Sequence, residues 1–300
     1  MKGQKNIAAS VRQRLLNLAK GEHRPFNELL QYYAMERFLY RLSNSAYSKK
    51  FILKGALMLR VWQAPEHRPT MDIDMLGKVT NNQQSIIQKI QQILIVEVDP
   101  DGLDFDTESI QTQRITEEAD YQGVRVRFKG SLGQAKINMQ LDIGFGDIVY
   151  PKAERSELPT LLDNPAPRLL CYSRETAIAE KFEAMVKLGV LNSRMKDFYD
   201  IWMLARQFNF DGSVLAEAIN LTFKQRDTVL TEDVVAFQEE FIIQKQVQWG
   251  AFCKRLKHEY LPIEFLEVVS LIERFLSPIV KSICTEKSFS RQWVAADNWH

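Results

Sequence analysis

The spacing of apolar residues changes along the chain, and each change predicts a different kind of element. In both outer parts of the sequence the apolar residues recur at helical spacing, whereas the middle contains short apolar runs and strict alternation. The predicted helices cover residues 7–19, 26–43, 56–63, 81–95, 173–190, 194–208, 212–222, 231–257 and 262–282. Two predicted strands cover residues 50–54 and 71–77, and further strands are predicted within residues 103–145. This order predicts an α+β protein with a strand-rich centre between two helical regions.

Prolines and polar residues mark a boundary in the second half of the chain. Four prolines fall between residues 151 and 167, and the pattern after them is mostly helical. We therefore predict an N-terminal helical segment over 1–45, a strand-rich core over 46–150 and a mainly helical C-terminal domain over 151–300.

Composition narrows the class of protein. The chain has 300 residues, 45% of them hydrophobic, which is enough for a full core. With 39 basic and 38 acidic residues the net charge is +1, so any contact with nucleic acid must come from a local basic surface. Three widely spaced cysteines suit neither a disulfide framework nor a zinc site. No secretory or membrane-spanning segment is expected, and the predicted location is cytoplasmic.

Asp72 and Asp74 are the first candidate for chemistry. Their i, i+2 spacing on a predicted strand sends both carboxylates to one face, where they repel each other unless a cation lies between them. Asp142 lies on the polar face of the strand predicted over 137–143 and adds a third carboxylate. Three such groups suit a polymerase-like Mg²⁺ site, in which Asp142 is a ligand or the base for the attacking hydroxyl. The alternative is a solvated strand face.

Glycine and basic residues flank these carboxylates. Gly55 and Ala56 begin a predicted helix directly after a strand, a position suited to phosphate. Lys54 and Arg68 are further candidates for contacts with a triphosphate, although single basic residues near loops are usually just solvated. Downstream, three basic residues alternate on one strand face, where they could follow an RNA backbone or simply face solvent: Arg125, Arg127 and Lys129.

Lys181 and Asp197 are charged residues within apolar helical stripes. A buried ammonium needs an anion, which could be a carboxylate of the fold or a bound triphosphate. Asp197 lies on the next predicted helix and could pair with Lys181. Such a pair could act at a phosphate site, or it could only orient two helices.

Four ordered motifs resemble the AbiEii toxin family of nucleotidyltransferases, which comes from type IV toxin–antitoxin and abortive-infection systems. They are Tyr33–Ser43, Leu53–Leu57, Arg68–Asp74, and the helical pair Glu180–Ala184 with Arg194–Asp200. The resemblance covers most of residues 5–210. It implies a polymerase-β-like core with a mixed sheet, and metal binding at Asp72 and Asp74. It also implies essential roles for Lys181 and Asp197.

The resemblance further implies an activity. Some relatives transfer nucleotides from NTP to the 3′ end of tRNA, and an antitoxin is usually encoded alongside. We therefore expect a Mg²⁺-dependent toxin with an RNA acceptor; a protein or small-molecule hydroxyl as acceptor, and a non-catalytic binding protein, are the alternatives. The chain departs from the superfamily pattern at Ala56, where relatives carry serine or glycine. This residue can offer no hydroxyl to phosphate.

Overall fold

The chain forms two compact units. A computed structural model describes residues 6–64, 68–117, 121–256 and 260–300. The first unit comprises Met1–Gly146 and Glu154–Cys171, and the second comprises Asp147–Ala153 and Tyr172–His300. The division into three segments made from the sequence stays a prediction.

The first unit contains the predicted strand-rich centre together with the N-terminal helices. Its elements, in chain order, are α1 (Ile7–Gly21), α2 (Phe26–Ser43), β1 (Phe51–Lys54), α3 (Leu57–Val61), β2 (Ile73–Gly77), α4 (Gln83–Leu94), β3 (Leu103–Glu117), β4 (Tyr121–Leu132), β5 (Ala135–Phe145), β6 (Glu154–Glu157) and β7 (Arg168–Cys171). The residues 118–120, within the segment predicted to be strands, lie outside the described part of the chain.

In the described residues, seven strands form one mixed sheet in the order β3-β4-β5-β2-β1-β7-β6. The long strands β3, β4 and β5 follow one another in the chain and pair antiparallel. In contrast, β2 pairs parallel with β5 and antiparallel with β1. The strand β2 therefore lies between β1 and the C-terminal half of β5.

Helix α2 covers part of this sheet and is buried along most of its length. Its aromatic side chains pack inward, and the Phe38 and Phe128 rings lie 5.6 Å apart. The helix also buries charge, since Asp101 accepts bonds from Arg37 at 3.2 Å and from Arg41 at 2.6 Å. A buried carboxylate shared by two guanidiniums ties α2 to the start of β3.

Two differences from the predicted elements lie beyond residue 150. The proline-rich stretch and the residues after it contain β6 and β7, and β7 pairs parallel with β1 in the first unit. The helix predicted over 231–257 begins only at Glu239, after a loop and a short 3-10 turn at Val235–Phe237. Its predicted last residue lies outside the described part of the chain.

The second unit is mainly helical, as the apolar spacing predicts. Its elements are α5 (Arg174–Leu188), α6 (Met195–Gln207), β8 (Phe210–Asp211), α7 (Gly212–Gln225), α8 (Glu239–Leu256), α9 (Phe265–Cys284) and β9 (Gln292–Trp293). Helix α5 begins where the Ser173 hydroxyl accepts the Thr176 N–H, and it ends at Gly189, whose φ is +46°. Aromatic rings fill the centre of the unit, with Phe198 and Phe265 5.0 Å apart.

Candidate active site

The sheet brings the three predicted carboxylates together. Asp74 on β2 and Asp142 on β5 are register neighbours in the parallel pair, and Asp72 lies just before β2. One carboxylate oxygen from each of the three residues lies within 4.8 Å of the other two. Three carboxylates at this separation repel one another, so the arrangement favours a bound cation.

Gly55 allows the Asp74 carboxylate to occupy this position. The residue follows β1 with a φ of +73°, and a Cβ built on it would lie 1.9 Å from Asp74 Oδ2. Any side chain at this position would therefore displace the carboxylate. The glycine of the predicted phosphate turn thus contacts one of the predicted metal ligands directly.

Arg125 holds the third carboxylate. Its Nε donates to Asp142 Oδ1 at 2.8 Å, and its Nη2 donates to Asp142 Oδ2 at 2.7 Å. A bidentate pair of this kind fixes the orientation of the carboxylate plane. The guanidinium also offsets one of the three negative charges. The sequence pattern indicates only that Arg125 is one of three basic residues on a strand face. It does not predict the pairing with Asp142.

The sequence predicts Asp72 within the strand over 71–77. This prediction is wrong, because β2 begins at Ile73 and Asp72 lies in the segment that leads into it. Its position is set by side-chain contacts: the Thr70 hydroxyl donates to Asp72 Oδ1, and the Thr70 N–H donates to the Tyr32 hydroxyl at 3.0 Å. From α2, Gln31 Nε2 donates to the carbonyl oxygen of Met71 at 3.2 Å. These contacts hold Asp72 in place even though no strand ladder does.

Three further predicted nucleotide-binding residues are close to the carboxylates in the sheet or along the chain. Lys54 is the last residue of β1, is buried, and faces Asp74 across the antiparallel pair. Ala56 precedes the short helix α3 and is buried. Arg68 lies before β2 and is half-buried.

Lys181 and Asp197 form an ion cluster within the second unit. Lys181 Nζ lies 2.8 Å from Asp197 Oδ1 and 2.8 Å from Asp200 Oδ2. Arg194 Nε lies 2.6 Å from the other Asp197 oxygen. Burial raises the pKa of the Asp197 carboxyl, but the charges of Lys181 and Arg194 outweigh it and hold that pKa below its ordinary value. The carboxylate is therefore ionised while fully buried, and it links α5 to α6.

The sequence pattern does not indicate that Thr70 and Arg125 contact the carboxylate cluster. Thr70 could have been found from its position two residues before Asp72, because a hydroxyl at that spacing often bonds locally. Arg125 could not have been found in this way, since its partner depends on the register between β4 and β5.

A model of the family described as nucleotidyl transferase AbiEii toxin of type IV toxin–antitoxin systems matches residues 37–270. The chain belongs to this family. It is therefore a nucleotidyltransferase of a toxin family, and the family resemblance inferred from the four motifs is confirmed. The predicted α+β nucleotidyltransferase fold with a mixed sheet is confirmed as well. Membership of the AbiEii family also implies that the protein uses a nucleotide substrate and has an antitoxin partner.

Two solved structures from Helicobacter pylori are similar to the AbiEii-family chain. One is JHP933, at 14% identity and a TM-score of 0.46, with 86% of this chain and 95% of that chain covered. The other is provisionally described as a nucleotidyltransferase, at 14% identity and a TM-score of 0.45, with 84% and 95% covered. A comparison with curated proteins gives no match. Among the described residues, no helix has the length and apolar character needed to cross a membrane.

Proposed function

We propose that the protein transfers a nucleoside monophosphate from NTP to the 3′ hydroxyl of an RNA, with tRNA as the acceptor, in a reaction that depends on Mg²⁺. In the cytoplasm this transfer would block translation until the antitoxin counters it. The observation that carries the proposal is the cluster of Asp72, Asp74 and Asp142 against the Gly55 turn. The family supplies the reaction type; the cluster supplies a place for it.

The carboxylate cluster suits Mg²⁺ in its chemistry. Hard carboxylate oxygens are the ligands this ion prefers, and Mg–O distances of about 2.1 Å put oxygens on opposite sides of one ion about 4 Å apart. One oxygen of each carboxylate lies within 4.8 Å of the other two, an upper bound slightly above that separation. Asp72 and Asp74 would hold the metal, and Asp142 would be the third ligand or the proton acceptor. Bound Mg²⁺ supplies electrostatic stabilisation of the phosphate charge in such a site.

The protein's own residues then have the following roles. Gly55, Ala56, Lys54 and Arg68 would contact the triphosphate, with the Gly55 turn keeping the donor beside Asp74. The acceptor oxygen bonds to the α-phosphorus, the α–β anhydride bond breaks, and pyrophosphate leaves with its electron pair. Arg125 would keep Asp142 oriented toward the hydroxyl whose proton is lost.

The essential roles of Lys181 and Asp197 stay predictions. In the proposed reaction Lys181 neutralises charge as pyrophosphate leaves, and Asp197 directs its ammonium. The ion pair between them also links α5 to α6. A structural role alone would therefore account for the contact between these two side chains.

The test is transfer of label from each α-labelled NTP to total bacterial RNA in the presence of Mg²⁺. We expect label in a tRNA-sized band with the unaltered protein, and none with Asp72→Asn or after chelation of Mg²⁺. Asp104→Asn is the matched control, because Asp104 is an exposed carboxylate on β3 of the same sheet. It should label RNA like the unaltered protein.

Three results would contradict the proposal. Label entering RNA with undiminished yield from Asp72→Asn would remove the metal-site assignment. Label entering protein or a small molecule, but never RNA, would show that the acceptor is a different hydroxyl; NTP binding without pyrophosphate release would indicate a binding protein.

A further inference from the structure

A groove lined by both polar and apolar residues adjoins the carboxylate cluster on the side away from Gly55. It has a volume of about 470 Å³ and runs from Asp72 across the exposed face of β5, β4 and β3. The side chains that matter for its chemistry are Gln111, Arg127, Lys129, Asn138 and Gln140. Every one of these residues belongs to the first unit.

The order of strands gives this groove a place in the reaction. Along the sheet, β1 with Gly55 at its end comes first, β2 and β5 with the carboxylates follow, and β4 and β3 come last. Displacement at phosphorus places the attacking and leaving oxygens roughly in line, on opposite sides of the phosphorus. If the triphosphate lies at the Gly55 side, the attacking hydroxyl must approach from the side of β5 and β4.

Arg127 brings positive charge into the groove, and among the described residues no carboxylate pairs with it. Its Nε donates to the Gln140 amide oxygen on β5 at 3.1 Å, and its Nη1 lies 3.5 Å from the Gln113 amide oxygen on β3. Amides orient a guanidinium but leave its charge intact. This contrasts with Arg125, two residues earlier on the same strand, whose charge is offset by Asp142.

Lys129 extends the positive charge along β4. Its side chain is exposed, and among the described residues no ion pair involves it or Arg127. Residues two apart on a strand lie about 7 Å apart, a spacing that suits successive phosphates of an extended strand. Asp106 faces Lys129 across the β3–β4 pair, but its carboxylate accepts the backbone N–H groups of residues 108 and 109.

We infer that this groove binds the 3′-terminal nucleotides of a single-stranded polynucleotide acceptor, with Arg127 and Lys129 against its phosphates. The amides of Gln111, Asn138 and Gln140 both donate and accept hydrogen bonds, which suits 2′-hydroxyls and base edges. The inference rests on the proposed function, since it assigns the acceptor of the same reaction to a named surface. A small acceptor without phosphates would gain nothing from the two cations.

The test is direct binding of a fluorescent single-stranded RNA of about 12 nucleotides, followed by anisotropy at several salt concentrations. All proteins would carry Asp72→Asn so that no transfer occurs. The groove variant adds Arg127→Gln and Lys129→Gln. The matched control adds Lys78→Gln and Arg155→Gln, two exposed basic residues of the first unit that do not line the groove.

We expect the groove variant to bind RNA about tenfold more weakly, and its slope of log affinity against log salt to be shallower by about 1.4, or about 0.7 for each lost phosphate contact. The control should keep the original affinity and slope. NTP binding, measured on each protein, should be unchanged. Equal affinity and equal slope in the groove variant, or no RNA binding by the starting protein, would overturn the inference.

The transfer assay separates this inference from the proposed function. RNA binding through the groove without any label transfer by the unaltered protein would sink the proposed function and leave the groove assignment standing. Conversely, label transfer to RNA with an unchanged KM for RNA in Arg127→Gln with Lys129→Gln would leave the function standing and overturn the groove.

Discussion

Replacing Gly55 by alanine tests whether the position of Asp74 controls the reaction. The substitution has two separate effects. Alanine at a φ of +73° suffers the strain of left-handed backbone, about 1–2 kcal/mol. In addition, its Cβ would lie 1.9 Å from Asp74 Oδ2, whereas contacts under 3.0 Å essentially never occur. The carboxylate must therefore move by at least about 1 Å, and a displacement of this size can lower an enzyme's rate about 100-fold.

Gly133 provides the matched control for the backbone strain. It has a φ of +60°, and the nearest atom to a Cβ built there is the Ala8 Cβ at 3.7 Å, an ordinary contact. Gly133→Ala therefore carries a similar strain but displaces no carboxylate. We expect both variants to lose a similar amount of stability in denaturant unfolding, and only Gly55→Ala to lose transfer activity.

The assay is the initial rate of label transfer at saturating NTP and RNA, with circular dichroism confirming that each variant is folded. A Gly55→Ala rate within about twofold of the Gly133→Ala rate would refute the reasoning, since a carboxylate that must move by about 1 Å could not then be a closely positioned ligand. Loss of activity in both variants to the same extent would also count against it, because strain alone would then be the cause.

Three further predictions concern the hydrogen bond to Asp72, the buried ion cluster of Asp197 and the buried carboxyl of Glu36. Thr70→Val should lower kcat about tenfold with little change in NTP affinity, because Asp72 loses its hydroxyl donor; Thr70→Ser should restore the rate, and a Val variant as fast as the serine variant would contradict this. Asp197→Ala should cost about 3–5 kcal/mol in denaturant unfolding, because it leaves buried cations without their counter-charge; the exposed ion pair of Asp163 should show almost no loss on Asp163→Ala, and equal losses would argue against a buried cluster. Burial raises the pKa of Glu36 to about 7, against a weaker opposing effect of the Leu161 N–H, so the folded state holds this proton more tightly. Stability should therefore fall by on the order of 3 kcal/mol as pH rises from about 4.5 to 7, and Glu36→Gln should remove that dependence; an unchanged pH profile of unfolding would refute it.

Local pattern was sufficient for most helices and strands because their ends carry local signals. Ser173 and Gly189 bound α5 by a hydroxyl cap and a positive φ, both of which depend only on nearby residues. Pattern failed for β7, a strand of four residues after a proline-rich stretch, since its pairing with β1 is long-range. It also failed at the start of α8, where the apolar spacing from Val234 and Ala236 comes from an irregular segment packed into the core.

The candidate site could be predicted in residue type but not in arrangement. Alternation was enough to assign Asp142 to the polar face of its strand, and i, i+2 spacing singled out Asp72 and Asp74. Neither signal states which strands are neighbours. The close approach of Asp74 to Asp142 comes from parallel pairing of β2 with β5, although β3 and β4 separate these strands in sequence. Such a register is a property of the whole sheet.

The placement of Asp72 makes α2 part of the site. Because β2 begins only at Ile73, no strand ladder fixes Asp72, and its carboxylate depends on Thr70 for a hydrogen bond. Thr70 in turn donates its N–H to Tyr32, and the neighbouring Gln31 bonds the Met71 carbonyl, so both anchors come from one turn of α2. A helix that the apolar pattern separates from the core therefore holds Asp72, whereas the parallel pairing of β2 with β5 aligns Asp74 with Asp142.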